Sequence, residues 1–364
     1  MLALLLGGLY LYSQFRKRKL IKIRESYFLQ NGGLVLQKQV AKQGSTKNSI
    51  IFSAQELKKA TNYYDKAMII GKGGHGTVYK GILSNSRVVA IKKSNISGQI
   101  EIEQFINEMI VVSQINHKNI VKLLGCCLEA EVPMLVYEFI TNGTLLDHMQ
   151  VSQLSWPNRL RIATETAEAL AYLHSAASPP IIHRDVKTAN ILLDDNLTAK
   201  VSDFGASKLV PIDQTQLTTL VQELFTSMKA VSFIRPQKER NLSMYFVSVM
   251  KEGHLPDILD KNIVDANVEQ IIEVANLAKR CLMVKGKERP TMKEVAMELL
   301  RIKVFEKHSL ETTKMSSKEI ESSLKIPRSP YNTEGEDGND DSGIIIDSDS
   351  IQTQVLEPLL DEGR

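Results

Sequence analysis

Gly71, Gly73 and Gly76 stand in the spacing G-x-G-x-x-G within the run Ile70, Gly71, Lys72, Gly73, Gly74, His75, Gly76, Thr77, Val78. Glycines so placed let backbone N–H groups close on a phosphate with no Cβ in the way. The spacing alone also fits a dinucleotide-binding turn, but that turn must open into a helix. Here β-branched residues follow, in Thr77-Val78-Tyr79 and again in Arg87-Val88-Val89-Ala90-Ile91-Lys92, with Asn85 near a turn between them. Strand, glycine loop and strand are therefore expected. Lys92 is placed to pair with the α- and β-phosphates of a nucleotide, whereas its neighbour Lys93 points to the opposite face and is expected in solvent. Further on, His183-Arg184-Asp185 is followed by Lys187 and Asn190, and thirteen residues after Asn190 stands Asp203-Phe204-Gly205. Asn190 and Asp203 offer hard oxygen ligands that suit Mg2+. Asp185 is expected to accept the proton of an attacking hydroxyl, and Lys187 to neutralise charge on the group in transit. His183 is expected to be a structural hydrogen-bonder and not a base. In this order the residues describe a site for phosphoryl transfer, which needs positioning and charge neutralisation more than covalent chemistry.

These groups need elements to hold them. Ile102, Phe105, Ile106, Met109 and Ile110 recur at helical spacing, and Glu108 lies beside that apolar face, sixteen residues after Lys92. It is the candidate for the carboxylate that fixes Lys92. Residues 159–175 make a second amphipathic helix, leading into the His183–Asn190 stretch. Ser53 and Glu56 have capping-box spacing and start a short helix reaching to about Asn62; Thr291 and Glu294 repeat the signal.

The chain has 45 Lys and Arg against 42 Asp and Glu, a net charge of +3, with 43% hydrophobic and 24% charged residues. Such a composition excludes collagen-like, fully disordered and multi-span membrane proteins. Cys126, Cys127 and Cys281 fit neither a disulfide framework nor a zinc site and are expected reduced and buried. The charge is unevenly spread. Residues 331–364 hold ten acids and one base, Arg364, while Arg16, Lys17, Arg18, Lys19, Lys22 and Arg24 cluster early. Residues 2–12 are apolar and uncharged. At 1.5 Å per residue, fifteen residues reach only about 22 Å of a hydrocarbon core of about 30 Å. Residues 1–15 are therefore expected to be the end of a transmembrane helix, with the chain after Phe15 on the cytoplasmic side. Residues 16–52 form a basic juxtamembrane segment and linker, suited to anionic lipid; no aromatic platform accompanies it, so nucleic acid is not expected. Residues 302–364 form an acidic tail expected to be disordered, and no extracellular ligand can be read from the chain.

With LIKIRESYFLQNGGLVLQKQ, GKGGHGTVYKGIL, EQFINEMIVVSQINHKNIVKLLGCCLE, SAASPPIIHRDVKTANILLDDN and KVSDFGASKLVPIDQTQLTTLVQ, the chain resembles the protein kinases, and among them the plant wall-associated receptor-like kinases. The resemblance implies an α+β, two-lobed fold: a β-rich small lobe and hinge over 53–140 and a helical large lobe over 141–301. It implies ATP and Mg2+, and transfer to Ser or Thr hydroxyls of protein substrates, which Lys187 favours over Tyr. It also places Ala90 with Lys92 in the nucleotide site, Tyr137 as gatekeeper, and Glu138, Phe139 and Ile140 as the adenine-binding hinge. Arg184 would receive a phosphate on the activation loop, for which Thr215, Thr218 and Thr219 are candidates.

One part of the pattern is absent. There is no A-P-E, Pro-Glu occurs nowhere, and no glycine lies between Gly205 and Gly253. The resemblance runs through Gln222 and resumes at Glu223, with roughly thirty residues missing, at least one helix plus a loop. Losing about five buried side chains at roughly 1.5–3 kcal/mol each removes about 8–15 kcal/mol, as much as a domain's whole net stability of about 5–15 kcal/mol. Arg289 resembles the arginine that pairs with the A-P-E glutamate and is expected to be stranded, at about 3–5 kcal/mol. The large lobe is thus expected to be unstable or rebuilt. Three readings stay open: an active kinase, a catalytically impaired pseudokinase that acts as a membrane-tethered interaction protein, or a product that does not fold.

Overall fold

The apolar start and the basic run fold as one helix, α1 (Leu2–Gln30), with no break at Phe15. Among the described residues of this computed structural model no helix is long and apolar enough to cross a membrane. Those residues are 2–42, 50–74, 76–95, 98–151, 154–177, 180–209, 218–228, 236–263, 266–283 and 285–304. They all belong to one compact unit, Met1–Glu311. Of the expected disordered tail 302–364, residues 302–304 continue the last helix, with Ile302 buried; from 305 onward, and at His75 and Thr215, the chain lies outside the described residues.

A corner at Asn31-Gly32-Gly33 turns the chain into α2 (Gly33–Lys42). Asn31 is 2% exposed, and its Nδ2 donates to Leu128 O at 2.9 Å and Ala130 O at 2.8 Å. Gly32 has φ +87°, and a Cβ there would stand 2.8 Å from Ile106 Cγ1, so the corner requires glycine on both counts. Leu36 packs with Phe105, Met109, Cys126, Leu128 and Leu135. The stretch expected as a linker is therefore partly a packed element of the small lobe.

Next come β1 (Ile50–Ile51) and α3 (Ala54–Ala60), whose N-cap Ser53 accepts from Glu56 N at 3.1 Å as the capping spacing requires. The glycine stretch runs from the end of β2 (Ile69–Gly73) into the start of β3 (Gly76–Ile82), between strands as expected and with no helix after it. Then come β4 (Val88–Ser94), α4 (Gln99–Gln114), β5 (Leu123–Cys127) and β6 (Met134–Glu138). The six strands form one sheet in the order β1-β5-β6-β4-β3-β2. Because side chains alternate across a strand, the adjacent cysteines part company. Cys126 joins the cluster under α4, and Cys127 joins Phe52, Leu57, Ile91 and Val136 on the other face. All three cysteines are free and buried, and burial pushes their thiols up, to about 12, about 11 and about 12 for Cys126, Cys127 and Cys281.

The large lobe is built on α5 (Leu145–Val151) and α6 (Trp156–Ser175), with paired short strands β7 (Ile181–Ile182), β8 (Ile191–Leu193), β9 (Ala199–Val201) and β10 (Lys208–Leu209). β7 pairs with β10 and β8 with β9, both antiparallel. Three more helices come after them, α7 (Thr218–Thr226), α8 (Leu242–Glu252) and α9 (Val268–Cys281), and a last one covers residues 292–304.

Of the two outcomes expected for this lobe, unstable or rebuilt, the structure has the second. α7 runs straight across Gln222 and Glu223, and every residue from 220 to 226 is buried. Leu220, Val221, Leu224 and Phe225 from α7, with Phe246 and Val249 from α8, enter the core. Six such side chains at roughly 1.5–3 kcal/mol each contribute about 9–18 kcal/mol, comparable to the loss reckoned from the sequence. Trp156, Phe225 and Phe246 form a stacked series with ring centroids 5.5 and 6.1 Å apart. α7 also buries Gln222 and Glu223, which accept from Ser243 Oγ and from Thr188 N, so its polar side chains enter the slot with partners. The fit leaves small apolar voids on either side of Val221, one of them toward Cys281 and Leu299. Arg289 is not stranded either: it is half-buried, and its Nε donates to Met283 O at 2.6 Å. The fully buried arginine is Arg159, which bonds Leu154 O, Leu224 O, Ser227 and Asp260.

Candidate active site

The antiparallel register of β3 and β4 sets Val78 opposite Lys92, and that of β4 and β6 sets Ala90 opposite Tyr137. The glycine stretch closes by pairing Gly73 with Gly76. At Gly76, with φ +152°, a Cβ would stand 2.4 Å from Lys93 O, so the tight approach of β3 to β4 excludes a side chain. Lys92 is 8% exposed, and its Nζ lies 2.8 and 2.9 Å from Glu108 Oε1 and Oε2 and 2.8 Å from Asp203 Oδ1. Burial alone would lower the ammonium pKa; the carboxylates of Glu108 and Asp203 outweigh it and hold it above its ordinary value. Tyr137 donates its hydroxyl to Glu108 Oε1 at 2.8 Å, and burial, reinforced by that carboxylate, keeps the phenol far from ionising. Lys93 departs from expectation. It is half-buried, with its Nζ 4.5 Å above the Tyr64 ring, a cation–π contact in place of free solvation.

The second half of the site comes from the chain between α6 and α7. Asp185 Oδ2 accepts from Lys187 Nζ at 2.7 Å and from Asn190 Nδ2 at 2.9 Å, and Asn190 Nδ2 also reaches Asp185 O at 2.8 Å. With its amide nitrogen committed to Asp185, Asn190 has its carbonyl oxygen left as a ligand. With the Asp203 carboxylate, that oxygen is the kind of hard donor that could hold Mg2+. His183 is buried and bonded at Nε2 to Ser202 O at 3.0 Å, and its ring packs edge-on to Phe204. Burial holds its pKa below the usual range, so it is a neutral structural group as expected. Asp203 sits in the left-handed region at φ 61°, a strained setting for a non-glycine residue.

Several positioning residues carry no signal in the sequence pattern. Ser202 donates both its amide and its hydroxyl to Asn190 O, each at 2.9 Å, which ties the asparagine to the residue before Asp203. Asn107, next to Glu108, donates to Ser207 O at 2.8 Å, and Ser207 Oγ reaches His183 O at 3.4 Å. On a helical wheel Asn107 reads as a solvated polar residue; only the approach of α4 to residues 204–207 reveals its use. Of the hinge residues, Glu138 accepts from Lys122 N at 2.9 Å, and Phe139 lies under Lys80 Nζ at 5.0 Å. Ile140 is half-buried beside them. Thr218 and Thr219 form the first turn of α7 and do not lie in a loop.

Comparison with known proteins agrees with this geometry. Residues 65–227 match the protein tyrosine and serine/threonine kinase family. Wall-associated receptor kinase 5 of Arabidopsis thaliana is 49% identical over 339 aligned positions, taking in 83% of this chain and 46% of the relative. Wall-associated receptor kinase 3 of the same plant is 48% identical with the same coverage. The putative wall-associated receptor kinase-like 16 is 49% identical over 76% of this chain and 72% of the relative. The chain thus spans about half the length of the first two. Against the first, 83% of 364 residues is about 302, some 37 fewer than the 339 aligned positions, in keeping with a segment that has no counterpart here.

Proposed function

The chain belongs to the protein kinases of the plant wall-associated receptor-kinase group, and from that premise we propose that it is a receptor-like serine/threonine kinase, transferring the γ-phosphate of ATP to protein hydroxyls on the cytoplasmic face of a membrane. The observation that carries this reading is the closed set of contacts at both halves of the site: Lys92 with Glu108 and Asp203, and Asp185 with Lys187 and Asn190. The glycine turn supplies backbone donors for phosphate. Lys92, held by Glu108, orients the α- and β-phosphates. Asn190 and Asp203 would hold Mg2+, which supplies charge neutralisation when bound. Asp185 takes the proton from the substrate hydroxyl at its carboxylate, and Lys187 offsets charge on the γ-phosphoryl oxygens. Tyr137 and residues 138–140 border the adenine. The six basic residues between Arg16 and Arg24 lie on the exposed part of α1, where each would add about 1 kcal/mol of attraction to anionic lipid.

The rival reading, an interaction protein without catalysis, draws no support from the relatives, and the contacts at the site are those a working kinase needs. The test is transfer from Mg-ATP to a general Ser/Thr protein substrate, with Asp185→Asn as control. Transfer is expected, falling about 10²- to 10⁴-fold in the variant. A chain that melts cooperatively and binds Mg-ATP yet transfers nothing would overturn the kinase reading in favour of the rival.

A further inference from the structure

We propose that Glu223 is a positioning residue for the catalytic loop. From α7, its carboxylate holds the turn that sets Lys187 and Asn190 against Asp185. Thr188, Ala189 and Asn190 form a single 3-10 turn, closed by Asn190 N donating to Lys187 O at 2.9 Å. The first amides of any helical turn lack partners inside it, and Lys187 provides no side-chain cap. Thr188 is 3% exposed. Its amide donates to Glu223 Oε2 at 2.8 Å, across thirty-five residues of chain. The cap of the turn therefore comes from another element, as a charged acceptor at the turn's positive end.

The geometry gives this contact leverage. Lys187 and Asn190 stand at the two ends of the turn, and both bond the Asp185 carboxylate. A shift of the turn moves the lysine and the metal-facing asparagine together. The carboxylate stands deep in the lobe, where it needs bonded partners. Glu223 is 6% exposed in a helix whose residues 220–226 are all buried, where an unbonded charge is costly. Its neighbour Gln222 turns the other way, accepting from Ser243 Oγ at 2.9 Å. Glu223 is also the first residue after the join in the sequence, so the shortened chain still delivers a carboxylate beneath the loop.

The assignment of Asp185, Lys187 and Asn190 as the catalytic set rests on the kinase reading, so the deciding measurement is independent of turnover. In the full chain, amide hydrogen exchange at Thr188 is compared among wild type, Glu223→Gln and Glu223→Leu. Leucine keeps the volume in α7 and removes the acceptor; glutamine keeps an acceptor oxygen. A buried amide losing its acceptor is worth roughly 5- to 150-fold in exchange. Leu is expected to accelerate Thr188 by that factor and Gln by less than about threefold, with kcat falling in the Leu variant at unchanged KM for ATP. Should Glu223→Leu lose its cooperative melt, Glu223→Asp, which shortens the reach but keeps the charge, takes its place under the same criterion. Wild-type exchange at Thr188 in the variant lacking the contact overturns the proposal, whether or not the chain transfers phosphate. Accelerated exchange in a chain with no measurable transfer sustains the contact and counts against the kinase reading alone.

Discussion

Replacing Arg159 by methionine tests whether the large lobe is truly rebuilt around α7. Arg159 has no exposed surface, and its guanidinium meets four groups: Leu154 O at 2.8 Å, Leu224 O at 2.7 Å, Ser227 Oγ at 3.2 Å and Asp260 Oδ2 at 2.6 Å. Those partners come from the entry to α6, the end of α7 and the chain before α9, so one side chain ties the three together. Methionine keeps much of the volume and removes every donor. Breaking a buried ion pair costs about 3–5 kcal/mol. The lower part of that range applies, because Asp260 retains Ser227 and the amide of Asn262 as donors. A loss of about 3–4 kcal/mol is a large share of a net stability of about 5–15 kcal/mol. At about 2–4 °C per kcal/mol for a lobe of this size, the melting temperature falls by roughly 6–16 °C. The assay reads the right place, since Trp156 is the only tryptophan, stacks on Phe225 and donates Nε1 to Gln270 at 3.0 Å. Urea and thermal unfolding followed by its fluorescence therefore report the α6–α7–α9 core. If Arg159→Met unfolds within about 1 kcal/mol of wild type, or Trp156 in the unmutated chain shows no cooperative transition, the helix is not docked there and the reasoning fails.

Asn31→Ala removes both donors that pin the α1–α2 corner to Leu128 O and Ala130 O. Leaving those carbonyls unmet costs about 1–3 kcal/mol, so hydrogen exchange in residues 27–37 should quicken while Trp156 unfolding stays unchanged; equal exchange in variant and wild type would mean the corner is not held by this side chain. Between pH 5 and 8 three histidines, two buried and one half-buried, make stability depend on pH. Burial lowers the pKa of His117, assisted by Lys118, and burial alone accounts for the lowering at His174 and, against weaker opposing effects, at His183. Below their unfolded value of about 6.5 the unfolded chain binds more protons than the folded one, so their contribution is complete above that pH and lost as pH falls toward the folded values. Urea midpoints taken at pH 8, 6.5 and 5 should fall a little at the second, where half of the unfolded imidazoles carry a proton (at most about 0.4 kcal/mol per histidine), and further at the third; a midpoint rising toward pH 5 would contradict the assigned burial.

The sequence alone pointed to the proposed chemistry and determined most of the small lobe. Glycine spacing, β-branched runs and the helical period from Ile102 to Ile110 placed the elements that carry Lys92 and Glu108, because those signals are local; that the two side chains pair was an expectation from the kinase pattern, and the fold brings them within 2.8 Å. The His183–Asn190 stretch and Asp203 stand out in the same way, and the structure brings Asp185, Lys187 and Asn190 together and sets Asp203 on Lys92. Local signals could not decide what only packing decides. Residues 218–226 are too few to be helical in isolation, so α7 exists through burial against α6, α8 and α9, and a count of missing residues left open whether the lobe is unstable or rebuilt and by which stretch. Asn31, Asn107, Ser202 and Glu223 read as ordinary polar residues in the sequence. Each acquires its role from a carbonyl or amide far along the chain. A buried backbone group needs a partner, and the distance in sequence to that partner is set by the fold.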